Sequence, residues 1–220
     1  MEIVESNKPW IGEGIRNIYC VGRNYVQHAQ ELNNAVPDVP LLFTKPTHSL
    51  AEANGHEIIF PGDRGEIQYE AELVFHIGRG YEPGIKLDDL VDQIAIGIDF
   101  TLRDVQTELK GKGYPWLLAK GFINSAVITP WQSFAGLNAL MELDFSLDRN
   151  GQEVQRDNMK NMIFDLPTVV GYTAMHLGLG QGDIIFTGTP AGVGPVSDGD
   201  SFTCKLADNV LGSCIIKLSK

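Results

Sequence analysis

The chain has 220 residues, enough for one large domain or at most two small ones. With 43% hydrophobic and 20% charged residues it can build a core, which excludes a disordered chain. Seventeen Lys plus Arg against 28 Asp plus Glu leave a net charge of −11, which argues against nucleic acid or an anionic membrane as main partner, because both are gripped by basic patches. No apolar run approaches the roughly 20 residues of a membrane span. Cys20, Cys204 and Cys214 are odd in number and form no C-x-x-C pair, so they read as reduced thiols, with Cys20 in the core. Met1–Glu5 lacks the basic and apolar regions of a secretory signal, and a soluble, cytoplasmic protein is the expectation.

Residues 1–17, with Pro9, Gly12 and Gly14, are expected to pair loosely at a sheet edge. Ile18-Tyr19-Cys20-Val21 reads as a short buried strand ended by Gly22. Asn24 is placed to cap a short helix, with Gln27 in the capping-box position. On that helix His28 and Glu31 stand at i and i+3, so the carboxylate can orient the imidazole, although such pairs on surface helices are commonly incidental. Asn33 to Pro40 is a polar, proline-punctuated connection suited to a segment that moves. Leu41–Thr44 returns to strand and Lys45-Pro46 ends it. From His48 to Gly65 the chain is turn-rich, and Asn54-Gly55 and Pro61-Gly62-Asp63 flank Glu57–Phe60 as a hairpin at an edge.

From Ile67 to Ile77 the odd positions are all apolar, while the even ones carry Gln68, Glu70, Glu72, Val74 and His76. That period of two predicts one strand with one face in a core. Glu70 and Glu72 then project from the same side, about 6–7 Å apart, either into water or around a cation. A turn of helix at Leu87–Val91 precedes the run Ile94–Ile98, which reads as a buried strand closed by Asp99. An ionised Asp there is costly unless it is paired or bound to a metal. Three carboxylates with no nearby Cys or His cluster form a hard, oxygen-only set that suits Mg²⁺, Mn²⁺ or Ca²⁺ and not zinc. Glu70, Glu72 and Asp99 are therefore the candidate metal ligands.

Thr101–Lys110 is predicted as a helix whose apolar stripe is Leu102, Val105 and Leu109, with Arg103, Gln106 and Lys110 on another face, either solvated or turned to the site beyond Asp99. Gly111 and Gly113 stop it. In Trp116–Phe122, Lys120 lies inside an apolar segment and needs either an anion or a route to water. Gln132–Asp148 reads as loop then strand, Arg149–Gln152 as a hairpin turn, and Asp165 to Leu177 as a helix with His176 at its end or in the core. Gly182–Pro195 is a strand feeding a glycine-rich loop. It lacks the Lys-Ser/Thr of a phosphate loop, so its glycines serve to bring backbone N–H groups and the Thr189 hydroxyl to a small ligand. Two strands finish the chain from Ser201 to Leu218.

Together these stretches resemble the fumarylacetoacetate hydrolase family, in its small single-domain branch of acylpyruvate hydrolases and oxaloacetate decarboxylases. The carriers are Val21–Tyr25 with His28 and Glu31, Phe43–Pro46, Tyr69–Leu73, Asp99–Gln106, Pro115-Trp116 with Ala119-Lys120, and Thr187–Gly194. The resemblance implies a mixed, β-rich α+β fold over 1–220, a homodimer, Mg²⁺ or Mn²⁺ on Glu70, Glu72 and Asp99, and a lid formed by residues 23–40 that carries His28 and Glu31. Arg103, Gln106, Lys120 and Thr189 match positions that hold the oxygens of a small 2-oxo acid substrate. Arg23 and Lys45 match more loosely, as substrate contacts or as structural residues. Gly121–Val127 departs from the Cys-Pro-like segment of the family. The implied activity is metal-dependent cleavage of acylpyruvates, such as acetylpyruvate or fumarylpyruvate, to pyruvate and a carboxylate, with His28, Glu31 and Lys120 as catalytic residues and oxaloacetate decarboxylation on the same site. The alternatives are an isomerase, decarboxylase or hydratase of aromatic degradation, or a module that holds Ca²⁺ without turnover.

Overall fold

The computed structural model describes residues 11–31 and 35–219. In chain order its strands are β1 (Ile18–Gly22), β2 (Leu41–Lys45), β3 (Leu50–Glu52), β4 (Asn54–Pro61), β5 (Ile67–Tyr69), β6 (Ala71–Ile77), β7 (Val91–Asp99) and β8 (Thr101–Leu102). They continue with β9 (Ala126–Ile128), β10 (Gln132–Ser133), β11 (Phe145–Arg149), β12 (Gln152–Asp157), β13 (Ile184–Phe186), β14 (Gly194–Pro195), β15 (Ser201–Leu206) and β16 (Asn209–Ser219). The helices are α1 (Val26–Glu31), α2 (Leu87–Leu90), α3 (Arg103–Lys112), α4 (Leu117–Lys120), α5 (Leu137–Met141) and α6 (Leu166–Leu177). This is the β-rich α+β architecture that the sequence implies.

One mixed sheet runs β2-β1-β13-β6-β7-β9-β3, with β10 also paired to β7. A second runs β12-β11-β15-β16-β4, and a small third runs β14-β5-β8. Side chains alternate across β6, so Leu73 and Phe75 enter the main apolar cluster while Val74 enters a second cluster with Ile18, Cys20 and Phe186. Aromatic pairs knit the main cluster between sheets: Tyr69 and Phe202 ring centroids lie 5.1 Å apart, and those of Phe60 and Phe100 lie 4.7 Å apart.

Ile67–Ile77 is not one strand with a wet face. It breaks at Glu70: β5 belongs to the small sheet and β6 to the large one, and nearly every side chain on both faces is buried. The neighbouring strand makes the same transfer, from β7 to β8, at Phe100. The Asp99 N–H donates to Glu70 O at 2.8 Å, and Phe100 N–H donates to Ser125 O at 2.9 Å. Two adjacent strands therefore leave one sheet for another at the same level, and Glu70 and Asp99 sit side by side at that seam.

Several local expectations are corrected. Glu57–Phe60 is not in a hairpin, because β3 and β4 lie in different sheets; β4 does form an edge, parallel to β16. Thr101-Leu102 pairs with β5 instead of opening the helix, and α3 runs through Gly111 to end at Gly113, whose φ of 67° is the left-handed cap. Asn24 does not cap α1. Its side chain accepts from Phe164 N–H at 2.8 Å and donates to Thr187 O at 2.8 Å, so long-range partners win over the local turn. Between Gln132 and Asp148 there are also a short strand, β10, and the helix α5.

Residues 11–17 form no strand, although Arg16 N–H donates to Gly182 O; residues 1–10, and Asn33-Asn34 of the connection, lie outside the described residues. The Asn150-Gly151 hairpin is present with φ of 53° and 77°, as the mirror-image turn requires. Asp165 caps α6 by accepting from Thr168 N–H at 3.0 Å. His176 is exposed at the end of α6 and packs on Tyr172.

Candidate functional site

Glu70 sits in the break between β5 and β6, Glu72 on β6 and Asp99 at the end of β7. Each offers an oxygen within 4.8 Å of the others, and their residues are 4%, 2% and 0% exposed. The donor set fits a hard divalent cation. Among the described residues Asp99 Oδ1 accepts no hydrogen bond, and Glu72 accepts from Gly188 N–H at 2.7 Å. Burial first, then the facing Asp99 and Glu70 carboxylates, pushes the Glu72 carboxyl well above the usual carboxylate range. The three carboxylates offer a hard, oxygen-only donor set, and Lys45, Lys120 and Arg103 balance their charge in this structure.

Lys120 reaches this cluster from the end of α4. Its Nζ donates to Asp99 Oδ2 at 2.6 Å, Glu70 Oε2 at 2.7 Å and Thr101 Oγ1 at 2.7 Å, and lies 5.0 Å from the Phe43 ring centroid. Burial works to lower the Lys120 ammonium, but Asp99 and Glu70 outweigh it and hold its pKa above the ordinary value. The lysine is buried against anions and does not snorkel. Arg103, at the first position of α3, donates to Glu70 Oε1, to Gln68 Oε1 at 2.7 Å and to Gln106 Oε1 at 2.7 Å. Burial would raise the Glu70 carboxyl, yet Lys120, Arg103 and His28 keep it far below the carboxylate range.

A small pocket opens on this cluster, lined by Arg23, His28, Phe43, Glu70, Glu72, Asp99, Arg103, Gln106, Lys110, Trp116, Lys120 and Thr189 among others. His28 is 5% exposed and its Nδ1 has no hydrogen-bond partner among the described residues. Burial lowers its pKa below 6.5, with Arg103 acting in the same direction against the pull of Glu70, so the ring is held neutral. Arg23 has a φ of 58°, the left-handed region that a side chain rarely adopts, and it follows Gly22, where a Cβ would meet Leu41 at 3.3 Å and Trp116 at 3.5 Å. Gly188 is required for the Glu72 contact: its φ is 97°, and a Cβ there would lie 2.7 Å from Asn24 Cβ.

Two residues singled out from the sequence do not line the pocket. Lys45 lies behind it, with a solvent-free side chain, and donates to Ser125 O and Oγ, Phe100 O and Lys120 O. It is enclosed by the seam, so its place is structural. Glu31 comes within 3.5 Å of His28 Nδ1 without a hydrogen bond, and instead accepts from Gly192 N–H at 3.2 Å, clasping α1 to the glycine-rich loop. Gln155 was not legible. Its polar side chain sits in a charged hairpin strand with nothing nearby to mark it, yet it is 2% exposed and reaches Ala71 and Thr189.

The family model described as fumarylacetoacetate hydrolase C-terminal matches residues 17–218. The chain is 38% identical over 187 residues to a mitochondrial oxaloacetate tautomerase of Homo sapiens, covering 84% of each chain. It is 37% identical over 200 residues to a mitochondrial oxaloacetate decarboxylase of Dictyostelium discoideum, covering 90% of this chain and 91% of that one. A crystal structure of fumarylpyruvate hydrolase from Pseudomonas aeruginosa in complex with Mn²⁺ and pyruvate superposes with a TM-score of 0.85 at 31% identity, over 99% of this chain and 94% of that one.

Proposed function

Because the chain belongs to the fumarylacetoacetate hydrolase family, we propose that it is a divalent-metal-dependent enzyme cleaving acylpyruvates to pyruvate and a carboxylate. One observation carries the reading: a buried carboxylate triad and the neutral His28 ring line the same small pocket. When bound, Mg²⁺ or Mn²⁺ at Glu70, Glu72 and Asp99 supplies a Lewis acid for the oxygens of a 2-oxo acid. The fumarylpyruvate hydrolase neighbour was crystallised with Mn²⁺ and pyruvate, which supports the ion and the substrate class.

His28 takes a proton from water, whose oxygen attacks C4 of the substrate. The C3–C4 bond breaks, C4 leaves as a carboxylic acid, and the electron pair stays on C3. Protonation of C3 gives pyruvate. The lowered pKa of His28 keeps it in the base form this step needs. Lys120 and Arg103 place positive charge beside the anionic end of the substrate, and Gln106 and Thr189 offer polar groups to its oxygens. The helix α1, with Glu31 clasped to Gly192, acts as the part of the lid that carries His28 over the pocket.

A second reading, enolisation or decarboxylation of oxaloacetate, is favoured by the named activities of the curated relatives. It uses the same enolate at C3, with no water attacking C4. Arg23 and Lys110, on the wall and rim, suit the second carboxylate that oxaloacetate and fumarylpyruvate both carry. A homodimer is proposed with this function, supported by exposed Leu117, Leu118 and Ile123 near α4. A cytoplasmic setting is proposed as well. Among the described residues no helix is long and apolar enough to cross a membrane.

The test is direct. Release of pyruvate and the carboxylate from acetylpyruvate and fumarylpyruvate is followed with Mg²⁺ and with EDTA, beside oxaloacetate. Chelator-sensitive release of both products from an acylpyruvate supports the hydrolase, whereas turnover of oxaloacetate alone leaves the second reading.

A further inference from the structure

Gln155 lies on β12, in a different sheet from the carboxylates, and its side chain is buried. Its Oε1 accepts from Ala71 N–H at 2.9 Å, the peptide between the ligands Glu70 and Glu72. Its Nε2 donates to Pro190 O at 3.0 Å and to Thr189 Oγ1 at 2.9 Å. The orientation of this amide follows from its neighbours. A backbone N–H can only donate and a backbone carbonyl can only accept, so Oε1 must face Ala71 and Nε2 must face Pro190. Thr189 Oγ1 therefore meets an N–H donor and has to accept. Its own O–H cannot point at Gln155.

We propose that Gln155 is a positioning residue that fixes the polarity of the Thr189 hydroxyl, so that Thr189 offers a hydrogen-bond donor to an anionic oxygen of the substrate. This rests on the 2-oxo acid reading of the pocket above. The physical reason for needing it is that a free hydroxyl can present either its hydrogen or a lone pair. Beside three carboxylates, a substrate carboxylate is repelled by a lone pair and held by a donor. Gln155 removes the wrong choice before substrate arrives. The same side chain holds the Ala71 peptide, so the donor and the ligand strand are set from one point.

The experiment is a double-mutant cycle with Gln155→Met and Thr189→Val, read as KM and kcat for oxaloacetate and an acylpyruvate with Mg²⁺, beside melting temperatures. Gln155→Met keeps size and neutrality and frees the Thr189 hydroxyl to turn. Each single change should raise KM by about tenfold, as for a hydrogen bond to a charged group, with a smaller change in kcat. In the Thr189→Val background, at saturating Mg²⁺ so that loss of the Ala71 contact is not read through metal affinity, Gln155→Met should add less than about twofold to KM, because the donor it orients is already gone. KM effects that multiply, or a Gln155→Met enzyme with unchanged KM, would overturn the proposal. Neutron diffraction on perdeuterated crystals decides it without turnover: a deuteron on Thr189 aimed at the pocket supports the proposal, and one aimed at Gln155 sinks it. Wild-type protein inert toward both substrates would refute the functional reading instead, and the deuteron position would still decide the orientation of the hydroxyl.

Discussion

The Nζ of Lys45 lies 2.7 Å from Asp99 Oδ1, and neither side chain meets solvent. Asp99 Oδ1 accepts no hydrogen bond among the described residues, so charge attraction holds the pair, while the ammonium donates to the oxygens of Ser125, Phe100 and Lys120. Lys45 thus links the two ends of the seam, Asp99 on β7 and the segment after α4 that delivers Lys120.

Lys45→Met would leave Asp99 with Lys120 alone and take the donor from the buried Phe100, Lys120 and Ser125 carbonyls, and breaking a buried pair costs about 3–5 kcal/mol at most. Lys45→Met should lower stability by that order in urea denaturation. Lys45→Arg should not restore it, because a planar guanidinium cannot replace a compact ammonium among these carbonyls. A Lys45→Met protein as stable as the parent would show that the pair is not holding the seam.

His28→Ala should cut acylpyruvate hydrolysis by about 10²–10⁴-fold, the usual worth of a general base. Decarboxylation of oxaloacetate, which needs no attacking water, should fall far less. Equal losses in the two assays would contradict the base role.

The same residue sets a pH dependence. Burial lowers the folded pKa of His28 below 6.5, so the acid limb of kcat/KM for hydrolysis should bend below that value. The stability consequence has the same sign. Between the folded pKa and about 6.5 the unfolded chain binds the extra proton, so stability is full above 6.5 and declines as pH falls towards the folded value. Melting curves across that window should show the decline flattened in His28→Gln.

Chelation should abolish turnover, and Mg²⁺ or Mn²⁺ should restore it. Bound metal should also protect the fold, by about 2.7 kcal/mol at a hundred times its dissociation constant. Glu72→Ala should lose both effects. Thermal protection by Ca²⁺ with no turnover under any divalent ion would instead mark a structural module.

If Arg23 reads a second carboxylate, Arg23→Ala should raise KM for oxaloacetate by about tenfold, the worth of a charge-assisted hydrogen bond. Acetylpyruvate, with a methyl group at that end, should be nearly unaffected. Equal shifts would assign Arg23 to the shape of the backbone at Gly22 and not to the substrate.

The acidic residues and the buried Lys120 were legible in the sequence because they are charged groups in or beside apolar runs, where burial has to be compensated, and His28 stood out by its i, i+3 spacing to Glu31, although Glu31 turns to Gly192. The Asn150-Gly151 turn and the Asp165 cap were legible because their hydrogen bonds are local. The break at Glu70 was not. Alternation continues unchanged through Ile67–Ile77, since both halves of the run are pleated and only their partners differ. Nor could spacing reveal that Asn24 would serve Phe164 and Thr187, that Lys45 would be walled in behind Asp99, or that Gln155 would reach Thr189 from another sheet. The chain alone determined which candidate groups are present, because residue type fixes charge, hardness and local turn preference. The assembly of the sheets decided which of them face one another, because those contacts join segments with no periodic signal between them.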